Sequence, residues 1–525
     1  MYDLLIRDGL IVDGTGNPWF RGDIAIEGDS IGALGRVKGA ARRVIDAEGL
    51  IVTPGFIDAH SHSDLMLISE PTALPKLMQG ITTEIIGQDG LGEAPIRDDI
   101  LDEWRRYLSG LNGDPDIEWS WRSFDEYLLR LEKAEPAVNV ASLVGHGNLR
   151  MMAMGMEARP PSRDEMEGMK RLLGEALNSG ALGVSTGLIY PPCTYASTEE
   201  LIELGRVVAR YGGIFVAHIR DEGHRLLDAL REMIEVGRRS GAPIHISHLK
   251  ASGRRNWGKI SEALRLLRAA RSVGVDITFD QYPYTAGSTF LSSILPAWAH
   301  EGGASKMMER LRDPETRLRI IEDMKLKSRI REWSWEELLI TSMGPGDKGL
   351  EGKNLWEIAE ERGEDPHEVV LDLILEGENA VTMAVFTMSE EDVKNAMKSP
   401  LGMFCTDGIL LGKPHPRAYG SFPRVLGRYV RELGVITLEE AVRKMTSAPA
   451  RRLGLWDRGI LRPGFKADMV ILDPERIIDK ATYDDPKRYS EGIEYVIVNG
   501  VLAVEDGEPT GARAGRVLRR SMMPR

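Results

Sequence analysis

Between about residues 51 and 407 the chain alternates short apolar segments with amphipathic stretches, and this alternation restricts the fold more than any other feature. The apolar segments are IVTPGFIDAH, GITTEIIG, VNVASLVGHG, GALGVSTG, GGIFVAHIR, APIHISHLK, VDITFDQYPY and GMFCTDG. Amphipathic helices are expected between them. Ser197 to Glu200 before LIELGRVVARYGG, and Thr437 to Glu440 before AVRKM, have the spacing of a capping box. Repeated strand–helix units predict a parallel α/β fold, and about eight of them favour a (β/α)8 TIM-type barrel over an open sheet. VTMAVFTM, near 381–388, is a ninth strand candidate that this scheme does not need. The alternation breaks at about 287–345, where LPAWAHEGGASKMMERLRD reads as mostly helical, and a lid inserted over the barrel mouth is expected there.

The two ends have a different texture. LLIRDGLIVDG and DIAIEGDSIGALG at the start, and GILRPGFKADMVILDP and YVIVNGVLAVEDGE at the end, read as short strands between glycine-containing turns. Residues 1–54 and 450–525 are therefore expected to form one composite β-sandwich, with 55–449 as the barrel.

At 525 residues, with 42% hydrophobic and 28% charged residues, the chain is globular and too long for one ordinary core. Its net charge of −13, with no long basic run, disfavours nucleic-acid and anionic-membrane partners. No apolar stretch is long enough to span a bilayer. The N-terminus lacks the pattern of a signal peptide. Cys193 and Cys405 are the only cysteines and define no disulfide framework, so a cytoplasmic location is expected.

The chemistry is expected where polar residues interrupt the ends of apolar strands, because a barrel carries its active site at the strand C-termini. His60 and His62 end the first strand, Asp89 follows the second and His146 the third. His218 and His248 end two later strands, and Asp407 ends the last. With His245, six of the ten histidines fall in or at the end of a strand, where chance would scatter them. His-x-His on a strand puts both imidazoles on one side, about 7 Å apart, so that they can chelate one ion. Zinc takes nitrogen and carboxylate ligands and, in catalytic sites, keeps a position open for water. His60, His62, His218, His248 and a carboxylate can hold one or two divalent ions.

These segments resemble the amidohydrolase superfamily and, within it, the D-aminoacylase (N-acyl-D-amino-acid deacylase) group. TPGFIDAHSHSD marks the superfamily; HPRAYGSFPRVLGRYVRE is more specific for the deacylases, and the matching motifs span the chain. The resemblance implies the barrel-plus-sandwich fold and metal-dependent hydrolysis of an N-acyl-D-amino acid. It implies Asp407 as general base and metal ligand, and Lys250, Tyr282, Ser288 and Arg417 as substrate-binding residues. One position departs from the group: GQDG carries Asp89 where deacylases usually have a cysteine that binds metal. A carboxylate is a harder ligand that can also bridge two ions. Cys193 and Cys405 are not expected to replace that cysteine; Arg220, Glu222 and His146 are candidates for supporting contacts.

Three other readings compete. Gly183-Val184-Ser185-Thr186-Gly187 matches the G-x-S-x-G of serine hydrolases, but LIYPPC follows where that elbow needs a helix. A cyclic-amide hydrolase of the dihydroorotase or hydantoinase kind, or a dipeptidase, belongs to the same superfamily. Many of those enzymes use a carboxylated lysine, and no lysine ends the fourth strand here. A barrel turned binding scaffold would have lost ligands that this chain keeps. The expected partner is a small N-acyl amino acid; the sequence leaves oligomeric state open.

Overall fold

Parallel strands buried on both faces need apolar residues throughout, and the apolar runs of the middle region become such strands. The computed structural model describes residues 1–331 and 333–520 as a mixed α/β chain. In chain order the parallel segments are Phe56–Asp58, Ile81–Ile86, Asn139–Ser142, Val144–Gly145, Gly183–Gly187, Ile214–His218, Ile244–Ile246, Ile277–Gln281 and Gly402–Phe404. The first three pair side by side. The rest form a second parallel array in the same sequential order. One residue separates Asn139–Ser142 from Val144–Gly145, which joins the two arrays through the chain. At the other margin the Asp407 N–H donates to the His60 carbonyl at 2.8 Å, so the ends of the last and first strands are bonded together.

Some of the connecting helices carry a side-chain cap as well as one apolar face. Thr198–Tyr211 starts at Ser197, whose hydroxyl accepts the Glu200 N–H, and stops at Gly212 with a φ of 66°. Leu201, Ile202, Leu204, Val207 and Val208 form its buried face. The expected capping box is only half made. The Glu200 carboxylate turns inward to His146 and Arg150 instead of back to the cap. The same holds at Thr437, where Glu440 pairs with Arg443.

The two ends of the chain share one sheet. Ile51–Pro54 pairs antiparallel with Met469–Leu472, and this contact joins the N-terminal strands to the C-terminal ones. Leu4, Ile6, Ile24, Ile26, Val52, Met469 and Ile471 pack together on it.

The inserted segment runs further than the 287–345 read from the sequence and is not only helical. Gly287–Phe290, Leu338–Ser342 and Thr382–Val385 form a separate antiparallel sheet, with Thr382–Val385 in the centre. The ninth strand candidate therefore belongs here and not to the parallel set. Ala304–Arg312, Pro314–Arg331, Leu355–Arg362 and Pro366–Glu376 accompany this sheet, with a core of their own that includes Leu291, Met307, Leu311, Ile340 and Leu373. No helix among the described residues is long and apolar enough to cross a membrane.

Candidate metal centre

The polar residues at the parallel strand ends converge. His60, His62, Asp89 and Asp407 each offer a ligand atom, all within 4.8 Å of one another, and Asp89, His218 and His248 form a second such group. Asp89 belongs to both. The Nε2 atoms of His60 and His62 face each other at 3.3 Å, and His218 Nδ1 lies 2.9 Å from His248 Nε2. The Asp89 carboxylate lies 3.6 Å from both His60 and His62, 3.7 Å from His248 and 3.8 Å from His218. All six residues are buried. Burial alone would push the Asp89 carboxyl up, but the imidazoles around it hold it well below the usual carboxylate range.

Backbone strain concentrates here. Asp89, His248 and Asp407 have φ values of 55°, 33° and 49°, a region that residues with a β-carbon seldom occupy. Each follows the end of its strand, and the left-handed step turns its side chain toward the common centre. Such outliers persist only where surrounding contacts hold them.

A layer of buried contacts surrounds these two groups. Asp280 accepts the His248 backbone N–H at 2.6 Å, lies 2.8 Å from His245 Nε2 and accepts the Cys405 thiol at 3.2 Å. Its carboxylate is 3.8 Å from His60 Nδ1. On the other side, His248 Nδ1 is 2.7 Å from Lys250 Nζ and 2.9 Å from Glu222, which pairs with Lys250 at 2.5 Å. Below the centre, Lys76 Nζ reaches Asp58 at 2.7 Å, Ser61 at 2.9 Å and Thr406 at 2.8 Å. Sequence reasoning assigned no role to Asp280 or Lys76. Asp280 lies inside a strand, just ahead of the QYPY motif, and Lys76 lies in a four-residue helix that reads as surface.

The centre opens into a cavity of about 430 Å³ between the strand ends and the inserted segment. Lys250, Tyr282, Ser288 and Arg417 all line it, with Tyr190, Phe290, Ile294, Leu338, Met383 and Val385 adding apolar wall. Arg417 is not free there. Its Nη1 is 2.7 Å from Asp407, its Nη2 donates to the Ser288 carbonyl at 3.0 Å, and its guanidinium stacks over Tyr282 at 4.4 Å. Its Nε makes no hydrogen bond among the described residues. Burial would raise the Asp407 carboxyl, but Arg417, His248 and His60 overcome that and hold it low.

The remaining candidates lie outside the ligand groups. His146 starts the helix His146–Met154, between Thr186 and Glu200, each at 2.9 Å. Buried Cys193 lies against His146; burial would raise its thiol, but the imidazole lowers it. Arg220 pairs with Glu232 at the cavity wall. Ser185 is buried in the strand Gly183–Gly187, and no helix directly follows, so the serine-hydrolase elbow is absent.

Buried imidazoles and carboxylates converging at the ends of parallel strands, beside an open cavity, define a metal-dependent hydrolase class of site. The chain belongs to the amidohydrolase family, whose model matches residues 43–504. It is 37% identical to a D-aminoacylase of Alcaligenes xylosoxydans xylosoxydans, over 99% of this chain and 98% of that one. It is 39% identical to an N-acyl-D-glutamate deacylase of the same organism, over 99% and 96%. The crystal structure of an N-acyl-D-glutamate deacylase from Bordetella bronchiseptica, complexed with zinc and a phosphonate mimic of the tetrahedral intermediate, is 35% identical. It superposes with a TM-score of 0.84 and covers 99% of each chain.

Proposed function

We propose that this protein hydrolyses a linear amide, removing the acyl group from an N-acyl-D-amino acid to leave a carboxylate and a free D-amino acid. The observation that carries this reading is the pair of ligand groups sharing Asp89 at the floor of a cavity lined by Arg417. The deacylase relatives support the substrate class.

The donors suit divalent ions. Ring nitrogens turned toward one another at 3.3 Å and 2.9 Å need a proton or a cation between them, and Asp89 Oδ1 is buried without a hydrogen bond among the described residues. His60, His62, Asp89 and Asp407 would hold one ion, and Asp89, His218 and His248 a second, with zinc suited to both sets. An ion bound there supplies positive charge that makes water acidic near neutral pH and polarises a carbonyl.

The chain's own groups do the rest. Asp407 takes the proton of the attacking water and returns it to the departing nitrogen. Arg417 receives the substrate carboxylate, with Tyr282 and Ser288 beside it. A substrate carboxylate that draws the guanidinium away leaves Asp407 a stronger base when one is needed. Lys250 stands close enough to His248 to stabilise negative charge on the carbonyl oxygen. Around this site the parallel strands read as a (β/α)8 barrel spanning 55–449. The terminal sheet reads as a composite sandwich of 1–54 and 450–525, and the inserted segment as a lid. Two free, buried cysteines agree with a cytoplasmic protein.

A substrate panel tests the reading. N-acetyl-D-amino acids are expected to turn over at least about 100-fold faster than their L-enantiomers, dipeptides or hydantoins, since an opposite configuration misplaces the scissile carbonyl once the carboxylate is anchored. Equal rates on both enantiomers, or activity on hydantoins alone, would overturn the assignment.

A further inference from the structure

The serine of the G-x-S-x-G stretch takes no part in the chemistry above, yet it lies against the one acidic residue common to both ligand groups. Asp89 stands in the turn from Gly87 to Gly90, where Gly87, Asp89 and Gly90 have φ values of 73°, 55° and 75°. Three left-handed residues in four, one of them Asp89 with its β-carbon, make a strained turn; the Leu91 N–H to the Gln88 carbonyl, at 2.9 Å, and the Gly87 N–H to Asp64, at 2.9 Å, brace it in part. Ser185 Oγ donates to the Gly87 carbonyl at 2.5 Å and accepts the Gly90 N–H at 2.9 Å. One buried hydroxyl thus clasps both flanks of Asp89.

The strand that carries this hydroxyl is itself in register with the second ligand group. Gly187 pairs with His218, and a β-carbon on Gly187 would stand 2.3 Å from the Asp89 carbonyl oxygen. Only glycine allows that approach. On the far side of the turn, the Gly147 N–H donates to the Gly90 carbonyl at 2.9 Å. The position of the Asp89 carboxylate relative to His218 is therefore set through the strand Gly183–Gly187.

We propose that Ser185 is a positioning residue for Asp89, and that its hydroxyl sets the affinity for the ion held by Asp89, His218 and His248. The inference rests on the reading that Asp89 holds metal. It also explains the serine without a nucleophilic role: the hydroxyl is committed to two backbone groups.

The test compares wild type, Ser185→Ala and Ser185→Cys for zinc affinity by chelator competition, for bound zinc per chain, and for activity as free zinc is raised. Ser185→Ala is expected to weaken the binding of one zinc ion by about 10–100-fold, the usual effect of losing a contact that orients a ligand. Activity lost at limiting zinc should return as zinc is raised. Ser185→Cys should fall between, because a thiol is a weak donor. Equal zinc affinity in wild type and Ser185→Ala would overturn the proposal, as would abolished activity with a full zinc complement. If Ser185→Ala does not fold, an unchanged affinity in Ser185→Cys overturns it instead. A wild type that binds no zinc at all would mean that the underlying reading of Asp89, not the clasp, has failed.

Discussion

Asp407→Asn is expected to lower kcat by about 10³-fold, within the ~10²–10⁴ attributed to a positioned proton-transfer group. The substitution keeps the size of the side chain and its ability to face Arg417, at 2.7 Å, and His62, at 3.1 Å. It removes the capacity to take a proton from water and pass it to the leaving nitrogen. The Asp407 N–H also donates to the His60 carbonyl, a backbone contact that Asn retains, so the turn should survive. KM should change much less than kcat, because Arg417, Tyr282 and Ser288 remain in the cavity. Steady-state kinetics of the variant with its zinc content measured alongside decide the matter. A loss below tenfold with metal retained would remove Asp407 from proton transfer.

Lys76→Met should cost about 3–5 kcal/mol of stability, the range for removing one partner from a buried ion pair. The ammonium is fully buried; burial opposes its charge, and Asp58 and Glu84 more than compensate. It is 2.7 Å from Asp58 and 3.3 Å from Glu84, and its removal takes the shared positive charge from two buried carboxylates. The effect should reach the metal centre as well. Asp58 accepts the Thr406 N–H at 2.8 Å and its hydroxyl at 2.6 Å, so the lysine ties the His60–His62 segment to the one carrying Asp407. Denaturant midpoints of wild type, Lys76→Met and Lys76→Met/Glu84→Gln measure it, and the double variant should recover part of the loss. A single-variant loss below about 1 kcal/mol would show that the network does not bear on stability in this way.

The sequence makes the parallel strands legible because both of their faces are buried, which forces apolar runs between helices. Which sheet a run joins is a long-range matter. Thr382–Val385 is as apolar as Ile244–Ile246, yet it pairs with Gly287–Phe290 and Leu338–Ser342. The candidate metal residues stand out because a histidine or aspartate at the end of a buried run is costly without a purpose. Their supports do not stand out. Asp280 lies within a strand, and Glu200 has the spacing of a capping residue while its carboxylate serves His146 and Arg150. The pairing of Arg417 with Asp407 joins residues on different elements, and no spacing rule reveals it. That Asp89 can bridge two ions is readable from its place in GQDG, but the contact of its turn from Gly87 to Gly90 with Ser185 appears only in the folded chain.

Hydrolysis of an N-acetyl-D-amino acid during removal and readdition of metal tests the central claim most directly. Protein stripped by a chelator is expected to lose nearly all activity and to regain it as zinc is titrated back. Recovery should track zinc bound at the groups that share Asp89. Full activity in protein shown to be free of metal would contradict the account.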